Sequence, residues 1–176
     1  MGRRPQPKPE KNTAPCWTNP LRPHNLNKPA SGKSRVFYSR SKGQYVLASA
    51  SLPDIYRAYI DCLNRQDWEQ LGDFVDNEVQ HNGRSLQLSG YRDLLVKDFE
   101  DIPDLHFNIQ FLACSPPMVA ARLAFKCSPK GNFLGLSING RVVSFAENVF
   151  YEFKLAKIIS VWSIIDKAGI EAQLSR

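Results

Sequence analysis

Residues 142–153 read V-V-S-F-A-E-N-V-F-Y-E-F, and the period of this stretch decides the fold. Every second residue from Val143 gives Val143, Phe145, Glu147, Val149 and Tyr151, four apolar side chains and one carboxylate on one face of a strand. Such a row belongs against a core, so the strand lies in a sheet with one buried side. Glu147 then sits either inside a cavity or as a misfit on the surface, and its apolar row-mates favour the inside. Buried and unpaired, a glutamic acid titrates above the ordinary carboxylate range, where it suits proton transfer. The structural alternative is a Glu147 neutralised by Arg84 or Arg122.

Working outward, Lys157–Ile165 is a second strand, and Met118–Cys127 a third behind the turn Ser115-Pro116-Pro117. Leu105, Phe107, Ile109 and Phe111 alternate with polar neighbours as a half-buried strand. Between strands, Ser128–Gly140 is a loop. Its Gly131-Asn132-Phe133-Leu134-Gly135 precedes no helical pattern, so it is not a phosphate loop but a cover for a pocket mouth, with Phe133 and Leu134 as lid.

Upstream the period becomes helical. Ser51, Pro53 and Asp54 form a start signal, after which Ile55, Tyr59, Cys62 and Leu63 share a face. Asp67 is placed to cap a short second helix burying Trp68, Leu71 and Phe74 or Val75. A strand at Glu78–His81, a turn at Asn82-Gly83 and a strand at Leu86–Leu88 follow. A third helix over Gly90–Phe99 presents Tyr91, Leu94, Leu95 and Phe99. Helices first and a long antiparallel sheet afterwards indicate an α+β domain over residues 51–176.

The net charge of +6 divides unevenly. Residues 1–50 hold ten Lys/Arg against one acid, and residues 51–176 hold thirteen against sixteen. The basic character therefore belongs to a Pro-rich tail without apolar period, which is expected to be disordered. The mildly acidic body carries no nucleic-acid footprint, and no apolar run approaches the ~20 residues of a membrane span. Cys16, Cys62, Cys114 and Cys127 lack metal spacing, and Cys62 is a small hydrophobe on a helix face. Free thiols and no secretory core point to the cytoplasm. Organelle targeting by the tail is the less favoured reading, because Pro5, Pro7, Pro9, Pro15, Pro20 and Pro23 break an amphipathic helix.

Other candidates gather around the strands. His81 ends E-V-Q-H beside Asn82 and Arg84, so a proton carrier, an amide and a cation converge there. Asn82 is placed to hold a substrate oxygen, and Arg84 to bind a carboxylate or pair with Glu147. Asp166 follows the last strand, where it is either a pocket acid or the N-cap of Lys167–Leu174. Trp162, Trp68, Phe150 and Phe133 either line a pocket or pack the core. His106 is expected at the surface or at a subunit interface.

Four stretches in this order, Y-I-D-C-L-N-R-Q-D-W-E-Q-L, I-P-D-L-H-F-N-I, G-N-F-L-G-L-S-I-N-G-R-V-V and I-I-S-V-W-S-I-I-D-K-A-G-I-E-A-Q-L, span residues 51–175. Together they resemble the SnoaL-like polyketide cyclases of the nuclear-transport-factor-2-like superfamily. The resemblance implies a cone-shaped curved sheet wrapped around N-terminal helices, enclosing one apolar pocket. It implies acid–base chemistry without cofactor or metal on a hydrophobic small molecule, and a homodimer through the exposed sheet face. It aligns the family's catalytic acid with Ser163 and two of its histidines with Val161 and Val149, so this chain departs from the pattern at each. Ser163 remains a substrate-contacting position. The expected function is a cyclase or isomerase of polyketide or terpenoid-type metabolism using Glu147, His81 and Asp166. The alternative is a non-catalytic binding or dimerisation module of the same fold.

Overall fold

A computed structural model describes residues 51–175. The expectations for the tail lie outside the described residues.

Helix α1 (Leu52–Asn64) starts at Ser51, whose hydroxyl donates to the Asp54 carboxylate at 2.6 Å instead of accepting from an amide. Its buried stripe is Ile55, Tyr56, Tyr59, Ile60, Cys62 and Leu63. One turn of helix, α2 (Leu71–Phe74), leads directly into β1 (Val75–His81). Here the sequence reading is corrected twice. Asp67 caps nothing, since α2 begins four residues later, and β1 starts at Val75, whose side chain is fully buried.

Asn82-Gly83 turns the chain as expected, both residues having positive φ. The returning strand β2 is only Arg84–Ser85, because Leu86 already caps helix α3 (Gln87–Asp101). The strand expected at Leu86–Leu88 is therefore the start of that helix. Tyr91, Leu95 and Phe99 form its buried stripe.

Four long strands follow: β3 (Asn108–Ser115), β4 (Met118–Cys127), β7 (Val143–Lys154) and β8 (Lys157–Ile165), before the closing helix α4 (Lys167–Leu174). Between β4 and β7, a small hairpin of β5 (Asn132–Phe133) and β6 (Leu136–Ser137) interrupts the expected loop. The main sheet has the order β2-β1-β8-β7-β4-β3. Every neighbouring pair is antiparallel except β1 and β8, which run parallel. The sheet is curved and the helices pack on it, as the resemblance implied.

Period two holds through β7, where Val143, Phe145, Val149, Tyr151 and Phe153 are buried. It fails in β3. A register shift between Ile109 and Phe111 inverts the alternation, so Phe111 is 61% exposed while Leu112 and Cys114 turn inward. Two side-chain amides bond backbone groups that the adjacent strand pairing leaves open. Asn64 holds both the N–H and the C=O of Phe107, at 2.8 and 3.0 Å, fastening the end of α1 to the approach of β3. Asn82 accepts from the Ser163 N–H at 2.9 Å, fastening the β1 turn to β8.

Leu123, fully buried on β4, sits opposite Glu147 in the ladder and packs in the main core. Leu123→Ala should lower unfolding free energy by about 2–5 kcal/mol, read from the urea midpoint at unchanged slope.

Candidate active site

Between the inner sheet face and helices α1 and α3 lies a cavity of about 570 Å3, with Leu95, Ile102, Phe107, Phe125 and Phe145 among its apolar walls. The polar lining comes from His81, Asn82, Asp98, Glu147, Ser163, Lys167 and the tyrosines Tyr59, Tyr91 and Tyr151. That size and composition suit a ligand of drug-like dimensions held mainly by apolar contact.

Glu147 enters from β7 on the core face, with Leu123 beside it on β4 and Ile165 on β8. Burial raises its carboxyl above the ordinary range, and the nearby Ser163 hydroxyl draws it partly back. Neither suggested cation reaches it. Arg84 is exposed on β2 and is not among the cavity-lining residues. Arg122 donates to Gln110 at 3.0 Å and to Asn148 at 2.9 Å, and Asn148 lies on the opposite face of β7 from Glu147. The structural alternative of a buried ion pair is thus not realised.

Val161 and Ser163, where the resemblance places a histidine and an acid, both line the cavity. Ser163 pairs with Val149 and Ile165 with Glu147, so Ser163 stands diagonally across from Glu147 on the same face. The carboxylate thus enters the hollow from the neighbouring strand, beside the position that lacks one.

His81, half-buried at the end of β1, is held below the usual imidazole range by burial, and its ring centroid lies 6.1 Å from that of Tyr91. Asn82 lines the cavity, but its oxygen is engaged by the Ser163 amide and its nitrogen lies 3.5 Å from the Ser163 carbonyl. These contacts tie the turn after β1 to β8. Phe133 and Leu134 line the cavity from the β5–β6 hairpin. Phe133 packs on Phe145 at 5.5 Å between centroids, and Leu134 is 39% exposed.

The catalytic role expected of Asp166 and the pocket or core places expected of Trp162 and Phe150 are corrected. Asp166 is exposed, accepts the Gly169 N–H at 3.0 Å as the N-cap of α4, and is not among the cavity-lining residues. Trp162 is 41% exposed on the outer face of β8, because Val161 and Ser163 on either side take the inner one. Phe150 faces outward with it as its cross-strand neighbour. Trp68 takes the core-packing alternative, edge-on against Phe99, and His106 is exposed, as expected.

The sequence reading missed Asp98, Lys167 and the three tyrosines as site residues. Asp98 lies seven residues after Tyr91 and four after Leu94, on the apolar stripe of α3, and that misplaced charge was its available signal. Its carboxyl is pushed up to about 6, mainly by burial and then by the negative charge of Glu147. No ion pair engages Asp98 or Glu147 among the described residues. Tyr59 and Tyr91 share a buried hydrogen bond of 2.8 Å between their hydroxyls. Among the described residues no cluster of three or more His, Cys, Asp or Glu side chains is placed to hold a metal ion. No described helix is long and apolar enough to cross a membrane.

The family profile described as SnoaL-like polyketide cyclase matches residues 53–174. A solved SnoaL-like polyketide cyclase from Agrobacterium tumefaciens is 56% identical, with a TM-score of 0.71, over 72% of this chain and 99% of that one. IdmH from Streptomyces antibioticus is 17% identical with a TM-score of 0.62, over 72% and 100% of the two chains. TsrD from Streptomyces laurentii is 19% identical with a TM-score of 0.61, over 70% and 93%. The last two show likeness of fold alone. No curated protein matches the chain.

The raised carboxyl of Asp98 carries a pH signature. Protonated Asp98 is the form the folded state favours, so its stabilising contribution is complete below the unfolded value and lost as pH rises through about 6. His81, held low, acts in the opposite sense, which makes a variant difference the clean measurement. Asp98→Asn should gain on the order of 1–3 kcal/mol over wild type at pH 7.5, shrinking towards zero by pH 4, in paired urea melts.

Proposed function

The chain belongs to the SnoaL-like polyketide cyclase family, and from that premise we propose that it is a cofactor-independent cyclase or isomerase acting on an apolar carbonyl compound of polyketide or terpenoid type. One observation carries this reading: Glu147 stands without a cation in an apolar cavity, next to the Ser163 position where the family's acid is missing. An isolated carboxylate in low dielectric is a strong base, and its elevated pKa narrows the gap to a weakly acidic carbon.

In this mechanism Glu147 takes a proton from carbon next to the carbonyl and returns it at another carbon, or leaves the carbanion to close a ring. His81, neutral at physiological pH because burial lowers its pKa, takes up or relays a proton at the substrate's other end. Asp98, with a carboxyl near 6, joins them as a second proton carrier on the opposite wall. The apolar walls hold a flexible substrate in its reactive shape and exclude water.

The test uses 1-tetralone, a bicyclic ketone with acidic α-hydrogens. In D2O the protein should accelerate α-deuterium exchange, followed by proton NMR, and Glu147→Gln should slow it by at least a hundredfold. Equal exchange by wild type and variant would leave the second reading, a binding module of the same fold, which the absence of the family's residues at 161 and 163 favours.

A homodimer through the outer sheet face belongs to this proposal. Phe111, Arg122, Asn148 and Ile164 form one cross-strand row, and Phe150 pairs with Trp162 nearby. Phe111, Phe150, Trp162 and Ile164 are between 41% and 70% exposed, an apolar patch typical of an interaction site. Trp162→Glu should convert a dimer to monomer in sedimentation velocity while leaving far-UV circular dichroism unchanged.

A further inference from the structure

Tyr59 and Tyr91 bring two phenolic protons to one hydrogen bond. Their oxygens are 2.8 Å apart, so one hydroxyl donates to the other. The acceptor keeps its own proton, and the described residues supply no second hydrogen bond to either hydroxyl. Both rings line the cavity, Tyr59 fully buried and Tyr91 only 3% exposed. A buried O–H without an acceptor carries a desolvation cost that a ligand oxygen would remove.

Position decides which of the two offers its proton. Tyr59 lies on α1 among Tyr56, Phe74 and Tyr151, its centroid 6.2, 6.3 and 5.8 Å from theirs. Tyr91 lies on α3 on the same wall as Asp98, and its other aromatic neighbour is the half-buried His81, 6.1 Å away between ring centroids. The less enclosed partner is the one that meets a ligand.

We propose that Tyr91, oriented by a hydrogen bond from Tyr59, donates its hydroxyl proton to the carbonyl oxygen of the substrate, so that the site selects a ketone whose α-carbon faces Glu147. This rests on the acid–base reading above and adds to it the group that holds the carbonyl oxygen and the orientation in which the substrate binds.

The balance of the step favours the pairing. As the α C–H bond breaks, its proton goes to Glu147 and its electron pair forms a C=C bond. The carbonyl π pair moves onto oxygen, where Tyr91 donates to it. The negative charge passes from Glu147 to the ligand oxygen, so the cavity holds no more charge after the transfer than before. Burial, reinforced by the field of Glu147, holds the Tyr91 hydroxyl well above the ordinary phenol range although the bond from Tyr59 draws it down. It therefore carries its proton at neutral pH and remains a donor. The groups facing it are Tyr59 from α1, His81 from β1, Asp98 from its own helix and Glu147 from β7.

The experiment compares 1-tetralone with tetralin, which has the same rings and no oxygen, by titration calorimetry and by the infrared carbonyl stretch of bound carbon-13 tetralone. Wild type should bind the ketone at least tenfold more tightly than tetralin and shift its carbonyl stretch to lower frequency. Tyr91→Phe should lose about five- to tenfold for tetralone and less than twofold for tetralin, with the stretch returning to its value in an apolar solvent. Tyr59→Phe should retain a smaller red shift. A stretch unmoved by Tyr91→Phe, or abolished by Tyr59→Phe alone, overturns the assignment. Deuterium exchange lost in Glu147→Gln while the stretch ignores both tyrosines would sink this inference and spare the acid–base reading. Failure of both ligands to enter the cavity would sink both.

Discussion

The register of β7 between β4 and β8 is the constraint on which the site depends. Side chains alternate strictly along a strand, so the pairing of Glu147 with Leu123 and Ile165 assigns its carboxylate to the core. A slip of one residue would send Glu147 to solvent and bring Asn148 and Phe150 inward. The buried row of Val143, Phe145, Val149, Tyr151 and Phe153 opposes that slip. The hydrophobic gain that closes the core is thus also what holds an ionisable group where water solvates it poorly.

The electrostatics of the hollow follow from this placement. Two carboxyls, Glu147 on the sheet and Asp98 on α3, line it with no cation paired to either, and burial raises both. Burial keeps the Tyr91 hydroxyl protonated and lowers the His81 imidazole, so neither neutralises these carboxyls as a cation would. Glu147 enters from the adjacent strand beside Ser163, the position where the resemblance expects an acid. The shared face of the sheet, rather than the strand number, defines where a group can act.

The outer face follows the opposite rule. Residues flanking the cavity-facing Val161 and Ser163 must point away, which exposes Trp162 and Ile164. An aromatic that reads as a pocket residue in one dimension becomes part of an external patch by parity alone. The same parity, inverted by the register shift in β3, places Phe111 outside beside them.

The α+β order of elements, the bounds of β4 and β8, the inward row of β7 with Glu147 in it, and the capping potential of Asp166 were determined by the sequence itself. Each rests on local period or local backbone hydrogen bonding, which neighbouring residues specify. Tertiary structure alone decided that β1 runs parallel to β8 and that Arg84 and Arg122 leave Glu147 unpaired. It also decided that Tyr59, Tyr91 and Asp98 meet Glu147 across one cavity. Those groups come from α1, α3 and β7, far apart along the chain. A hydrophobic stripe encodes that a helix face is buried but not which strand it is buried against. A tyrosine on such a stripe therefore looks like packing until the fold brings a second hydroxyl to it.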